Sequence, residues 1–194
     1  FSFIFLLLFF NQIDGINGLS ALTYIILIII LGIIKNNFIL VLPFLVVSVH
    51  YLFINLKGKL GIQGEAGSFF MGSTIFVITF NLDTNLNKFI LLFLASPILL
   101  DIVCTTIVRY LSGENILKGH NNNLYQRLVS KFKSHFLVTL MFGFMQVITI
   151  YFIFYLWELL NQKHFFQIVI LMTTILFLIF IFFAILIQKK KILL

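Results

Sequence analysis

Charged residues and cysteine are scarce in this chain. Of its 194 residues, 10% are charged and 61% are hydrophobic, whereas a soluble domain carries about 25% charged residues. A water-soluble fold of this size could not hide so much apolar surface, so we expect lipid to be the solvent for much of the chain. The single cysteine, Cys104, excludes an intramolecular disulfide and a cluster of thiolate metal ligands within the chain.

The net charge of +7 does not indicate nucleic-acid binding, because the basic residues lie between apolar runs and form no amphipathic face. The first apolar run, Phe1–Phe10, has no basic segment before it, so it is not a signal peptide. We expect this run to be the end of a spanning helix. The chain is then the C-terminal part of a longer protein.

Apolar runs of the length that crosses a bilayer, about 20 residues, recur along the chain. After the tail 1–10 they are Leu19–Ile34, Phe38–Leu56, Gly67–Asn81, Phe89–Val108, Phe136–Leu160 and Gln167–Ile187. The runs 19–34 and 67–81 are short, so we expect flanking residues to extend them or the bundle to bury them. Lipid cannot satisfy the open edge of a sheet. The predicted fold is therefore all-α, a polytopic transmembrane bundle with about six to seven spans forming one membrane domain over residues 1–194.

The loops between these spans carry charge asymmetrically. Alternating the spans places residues 11–18, 57–66, 110–135 and 188–194 on one side, together with most lysines and both arginines. The other side has only Lys35, Lys88 and Lys163. The positive-inside rule makes the first side cytoplasmic. No charge recurs through several spans, as a proton relay or ion pathway would require, which disfavours a transporter.

Two polar segments on the cytoplasmic side carry candidate ligands. In the stretch Asn11–Leu19, Asn11 and Asp14 are three residues apart and would share a helical face; the alternative is a helix break with a capping residue. In Gly58–Ser68, glycines let the backbone approach a ligand, and amides at a helix start favour anions. Glu65 there suits a divalent cation bridged to phosphate, or it only stabilises the positive end of the helix.

The third segment is the loop of about 25 residues between Tyr110 and His135, which is long for a connection and therefore a functional candidate. The only two arginines, Arg109 and Arg127, bracket it in a chain that otherwise uses lysine. A planar guanidinium suits phosphate, although the positive-inside rule alone would also place charge here. Asp101, on the helix before the loop, should point into the bundle, as a structural partner or as part of the site.

Together these segments resemble the prokaryotic polyprenyl-phosphate N-acetylhexosamine-1-phosphate transferases, and the match covers essentially the whole chain. The LYQRL ending is closer to the O-antigen initiating branch than to the phospho-MurNAc-pentapeptide transferase. The matching pieces are NxxDGxxGL at Asn11–Leu19, Asn55 ten residues before the acid, a GDxGSxxxG-like stretch at Gly64–Gly72, and HxxxLYQRL at His120–Leu128.

The resemblance implies transfer of a HexNAc-1-phosphate from a UDP-sugar to polyprenyl (undecaprenyl) phosphate, with release of UMP. This reaction initiates cell-envelope polysaccharide synthesis, such as that of lipopolysaccharide O-antigen, at the cytoplasmic face of the bacterial inner membrane. It requires Mg²⁺, for which Mn²⁺ is an alternative. The expected site has catalytic Asp14, His120 and Arg127, substrate-binding Asn11, Asn17, Asn55 and Arg109, and the metal ligand Glu65.

This chain also departs from the family pattern. Glu65 replaces the usual Asp, Asn17 stands where a second Asp is usual, and Ile62 stands where an aromatic often stacks on the base. Asn121 and Asn123 replace Arg and His of the initiating branch, and the paired aspartates are expected upstream of this chain. A catalytically weakened member or pseudoenzyme is therefore the main alternative, with an unrelated transporter behind it. The sequence leaves open which hexosamine is transferred and whether the protein forms a homodimer.

Overall fold

A computed structural model describes residues 2–57, 64–80, 96–115 and 118–159. These residues form helices joined by short turns and loops, and no strand occurs among them. The all-α prediction is confirmed for this part of the chain. The helices are α1 (Ser2–Ile13), α2 (Leu19–Lys35), α3 (Phe38–Leu56), α4 (Gly64–Phe80), α5 (Ser96–Leu111), α6 (Leu124–Phe132) and α7 (His135–Leu159).

The helix bounds follow the apolar runs closely. The two short runs behave as expected: α2 is largely buried, and α4 begins three residues before its run, at Gly64. That extension puts Glu65 in the first turn of α4, where a carboxylate is favourable. The loop between the fifth span and the next one is not all loop, since it contains the nine-residue helix α6. Residues 81–95 and 160–194, with the predicted span Gln167–Ile187, lie outside the described residues.

Two of the described helices, α3 and the α7 segment His135–Tyr155, are long and apolar enough to cross a membrane. Neither is a buried core helix, because only 17% and 33% of their most apolar windows are covered by the rest of the protein. Large apolar side chains are exposed along both, among them Ile39, Val46, Phe53, Phe144 and Ile148. A surface of this kind suits hydrocarbon and not water.

Helix α2 lies at the centre of the bundle and packs against α1, α3, α4 and α7. Its side chains Tyr24, Leu27, Ile28 and Leu31 belong to the buried core. Helices α1 and α4 form the other extensive contact, and they approach closely at Gly72. A Cβ atom at that position would lie 2.9 Å from the backbone oxygen of Leu6.

One end of the bundle, which we call the polar end, contains the turn 14–18, the end of α3, the start of α4, the loop residues 112–115 and 118–123, and the helix α6. Basic residues gather there, namely Lys57, Arg109, Lys118, Arg127, Lys131 and Lys133, whereas Lys35 lies at the opposite end, as the last residue of α2. Within the described residues, this is the asymmetry that the loop pattern predicted.

Candidate functional site

The turn of residues 14–18 between α1 and α2 lies at the middle of the polar end. It closes on Gly18, whose φ of 87° is in the left-handed region that glycine adopts without strain. The backbone N–H of Gly18 donates to Oδ1 of the buried Asn55, and Nδ2 of Asn55 donates to the Tyr51 hydroxyl at 3.0 Å. The end of α3 therefore fixes the shape of this turn.

The Asp14 carboxylate lies between α2 and the start of α4. It accepts a hydrogen bond from the Ser20 hydroxyl at 3.4 Å and another from the backbone amide of Gly64. Partial burial raises the pKa of Asp14 to about 6, and these two hydrogen bonds oppose that shift. Since Gly64 precedes Glu65 in the first turn of α4, the two acids predicted from separate motifs belong to one region.

Helix α6 lies against the same turn. The Tyr125 hydroxyl donates to the backbone oxygen of Gln12 at 2.7 Å and accepts from Nδ2 of Asn123 at 2.6 Å. Burial of Tyr125 raises the pKa of its hydroxyl well above the usual value, so it stays protonated as a donor. A Cβ at Gly15 would lie 2.5 Å from Nε2 of Gln126 and 3.2 Å from the Tyr125 ring. Helix α6 therefore packs closely on the residue after Asp14, and a larger side chain there would displace the end of the Gln126 side chain.

The N-terminus of α6 is held by a buried acid from α5. Asp101 is fully buried, and its two oxygens accept from the backbone amides of Leu124 at 2.8 Å and Tyr125 at 3.1 Å. The Thr105 hydroxyl, one turn along α5, also donates to Asp101 at 3.2 Å. Arg127 lies close enough to this carboxylate to interact with it electrostatically. Asp101 points inward, as predicted, and the first of its two predicted roles, a structural partner, fits these contacts.

The loop before α6 folds around Arg109. Its guanidinium donates to Oε2 of Glu114 at 2.8 Å and to the backbone oxygens of Asn115 and Lys118 at 2.7 and 3.1 Å. These bonds close the loop on the end of α5. Arg109 was predicted to bind substrate phosphate, and that role stays a prediction beside the loop-closing contacts.

His120 lies in the same loop, near Arg109. Its Nδ1 accepts from the backbone amide of Asn122 at 3.2 Å. Burial lowers the pKa of His120 below 6.5, and the Arg109 charge adds to this effect while the Glu114 charge opposes it. A neutral imidazole at pH 7 follows, which suits proton transfer better than fixed positive charge.

Two further candidates, Asn11 and Asn17, lie at the edges of the turn. Asn11 is exposed on the last turn of α1. The backbone N–H of Asn17 donates to Nδ1 of His135 at 3.2 Å, and its carbonyl accepts from the Thr139 hydroxyl at 2.8 Å. The start of α7 therefore holds the turn from a third side.

The structure brings Asp14, Asn17, Asn55 and the Gly64–Glu65 segment together around one turn. Helix α6 packs on that turn through Tyr125 and Gln126, and its Arg127 lies near Asp101. His120 and Arg109 belong to the neighbouring loop cluster with Glu114. Ile62 lies outside the described residues. Sequence reasoning missed Tyr125, although the LYQRL motif was recognised. The available signal was a tyrosine among polar residues, with Asp101 upstream as an acid that could cap a short helix.

The expected divalent cation stays a prediction. Among the described residues, no three side chains of His, Cys, Asp or Glu come together as a metal-binding group. Mg²⁺ does not need such a group, since it commonly uses one or two carboxylates, with phosphate oxygens and water completing its shell. Asp14 and Glu65 are two carboxylates of this region, and the backbone amide of Gly64 at Asp14 brings the start of α4 beside the Asp14 turn.

Comparisons of the chain with protein-family models, with curated proteins and with solved structures found no match. The likeness to the sugar-phosphate transferases therefore rests on the four motifs and on their arrangement at the polar end.

Proposed function

We propose that this chain belongs to an enzyme that transfers a HexNAc-1-phosphate from a UDP-sugar to a polyprenyl phosphate and releases UMP. The observation that supports the proposal is the meeting of four motifs, distant in the sequence, at one end of a helical bundle. Asp14 accepts a hydrogen bond from the amide of Gly64, Asn55 binds the turn that follows Asp14, and the LYQRL helix packs on Gly15. Alternating spans alone would place these segments at one end of the bundle, but they do not require the specific contacts that join them.

Phosphoryl transfer needs positioning and charge neutralisation more than covalent chemistry. In the proposal, Asp14 and Glu65 would hold Mg²⁺, and the bound ion would supply neutralisation of charge on the diphosphate. The N-terminus of α4 favours the same anion. Arg127, on a helix packed against the turn, stabilises charge that develops in the transition state. His120, neutral at pH 7, could serve as a proton acceptor.

The setting suits both substrates. We infer a bundle of six to seven spans in a bacterial inner membrane, with the polar end facing the cytoplasm. UDP-sugars are available on that side, and the lipid phosphate reaches the polar end from within the bilayer. The exposed apolar faces of α3 and α7, together with the basic residues at one end, support this orientation.

Asn55 takes a modified role in this proposal. Its side-chain amide binds Gly18 and Tyr51, so it shapes the Asp14 turn. Asn55, which the resemblance places near the uracil, would then affect the substrate through the shape of the turn as well as by direct contact. The same holds for Asn17, whose backbone is bound to α7 while its half-buried side chain stays at the edge of the turn.

The test uses the complete protein in membranes, supplied with UDP-GlcNAc, undecaprenyl phosphate and Mg²⁺, and follows UMP release with and without EDTA. We expect metal-dependent release that falls on the order of 100-fold in Asp14→Asn and Glu65→Gln. Ser73→Ala is the matched control on α4, because its hydroxyl only bonds its own helix at the Phe70 carbonyl. Absence of metal-dependent release from every UDP-HexNAc tested would overturn the enzyme, and UDP-sugar binding without release would favour the pseudoenzyme.

A further inference from the structure

The contacts of Asp101 join α5 to α6, the helix that carries Arg127 in the proposed reaction. The residue lies on α5, is fully buried, and faces the first turn of α6 rather than the Asp14 turn. The first amides of a helix have no partner within it. A carboxylate that accepts two of them forms charge-assisted hydrogen bonds and also favours the positive end of the helix.

Helix α6 depends on such outside contacts because it is short. It has nine residues, fewer than the roughly 12–15 that an isolated helix needs to be even marginally stable in water. Asp101 fixes its first turn from one side, and the Tyr125 hydroxyl fixes the same turn to α1 through the Gln12 carbonyl. Arg127 is the fourth residue of α6, within one turn of these anchors.

We propose that Asp101 is a positioning residue of the transfer reaction, which anchors α6 and so fixes Arg127 on the helix that packs on the Asp14 turn. This inference rests on the proposed function, because it assigns Asp101 a role that acts through Arg127. A residue that only stabilises the bundle would occupy the same buried place. The two roles differ in what happens when Arg127 is already absent.

The informative variant is Asp101→Asn in the complete protein. It keeps the shape of the side chain, but an NH₂ group then meets one of the two backbone amides, where both groups are donors. We expect kcat for UMP release to fall by about 10- to 100-fold, while KM for the UDP-sugar changes by less than about 3-fold. In an Arg127→Ala background, the same change should lower kcat by less than about 2-fold, since coupled residues are not additive.

Thr106→Val is the matched control, because Thr106 is the next residue along α5 after Thr105 and its hydroxyl bonds only the Ile102 carbonyl of its own helix, at 2.8 Å. It should leave kcat, KM and the coupling with Arg127 unchanged. Asp101→Glu provides a second variant should the asparagine fail to fold. It keeps the charge and both acceptors, so it should recover more activity than an alanine at the same position.

Hydrogen–deuterium exchange of the peptide covering residues 121–128 tests the anchor without any enzyme activity. We expect Asp101→Asn to speed exchange of the Leu124 and Tyr125 amides, and Thr106→Val to leave it unchanged. Equal losses of kcat with and without Arg127, or unchanged exchange, would overturn the positioning role. A wild-type protein without UMP release would instead remove the proposed function, and faster exchange would then leave only the anchoring of α6 standing.

Discussion

Gly72 on α4 allows the close approach of α1, and replacing it with alanine should separate the two helices. The added Cβ would lie 2.9 Å from the backbone oxygen of Leu6 and 3.0 Å from the Leu6 carbonyl carbon and the Leu7 Cα. The shortest of these distances is about 0.5 Å below the 3.4 Å at which ordinary contact begins. All three atoms belong to the backbone of α1, so a side-chain rotation cannot relieve the overlap.

The expected cost follows from two opposing effects. Overpacking costs about 1–3 kcal/mol, whereas alanine is more favourable than glycine in a helix interior by roughly 0.5–1 kcal/mol. The net expectation for Gly72→Ala is a loss of about 1–2 kcal/mol in the free energy of unfolding. The detergent-solubilised protein would show it as a lower midpoint in SDS-induced unfolding.

Gly143→Ala, on α7, provides the matched control. Its added Cβ would lie 2.5 Å from Cδ2 of Leu22, the far end of a flexible side chain that can rotate away. The helix preference of alanine then offsets most of the cost, and we expect a change within about 0.5 kcal/mol. If Gly72→Ala is as stable as Gly143→Ala, the inference that α1 and α4 are in close backbone contact at Gly72 is refuted.

Three further outcomes are expected. Burial raises the pKa of Asp14 from 3.8 to about 6, so between these pH values the folded protein binds more protons than the unfolded one. The contribution of Asp14 to stability is therefore complete below pH 3.8 and is lost as the pH rises through about 6. Unfolding midpoints measured against pH should show that loss in the wild type and not in Asp14→Asn. Glu65→Gln should raise the Mg²⁺ concentration needed for half-maximal UMP release by about 10-fold or more, and an unchanged Mg²⁺ titration would remove Glu65 from the metal site. Arg109→Lys should speed tryptic cleavage after Lys118, because a single ammonium cannot bind Glu114 and two backbone carbonyls together, whereas Lys131→Arg should leave that cleavage rate unchanged.

The helices with a strong apolar pattern could be predicted from the sequence. Helix α3 has the predicted bounds, and α2 and α7 differ from their runs by a residue at most. Lipid-exposed helices are uniform apolar runs with polar ends, so their positions can be predicted from the local sequence. Helix α6 was not predicted, because a nine-residue helix owes its stability to contacts with α1 and α5 that no local pattern records.

The candidate site was predictable only in its parts. Asp14, Asn55 and Glu65 came from motif positions, and the structure adds the contacts that join them through Gly18 and Gly64. The loop-closing bonds of Arg109 were not foreseeable, because the sequence indicates a need for a planar cation without naming its partners. Side-chain hydrogen bonds between distant segments depend on how the helices pack, and charge patterning gives only the side of the membrane.

The contact between Tyr125 and Gln12 joins residues 113 positions apart, and it sets an order on the making of the protein. At roughly 5–20 residues per second, the Asp14 turn leaves the ribosome roughly 6–20 s before the helix that packs on it. Until α6 has been synthesised, the side of the Asp14 turn on which it packs stays exposed. Positions 15 and 126 are also coupled, because a side chain at residue 15 would displace the end of the Gln126 side chain.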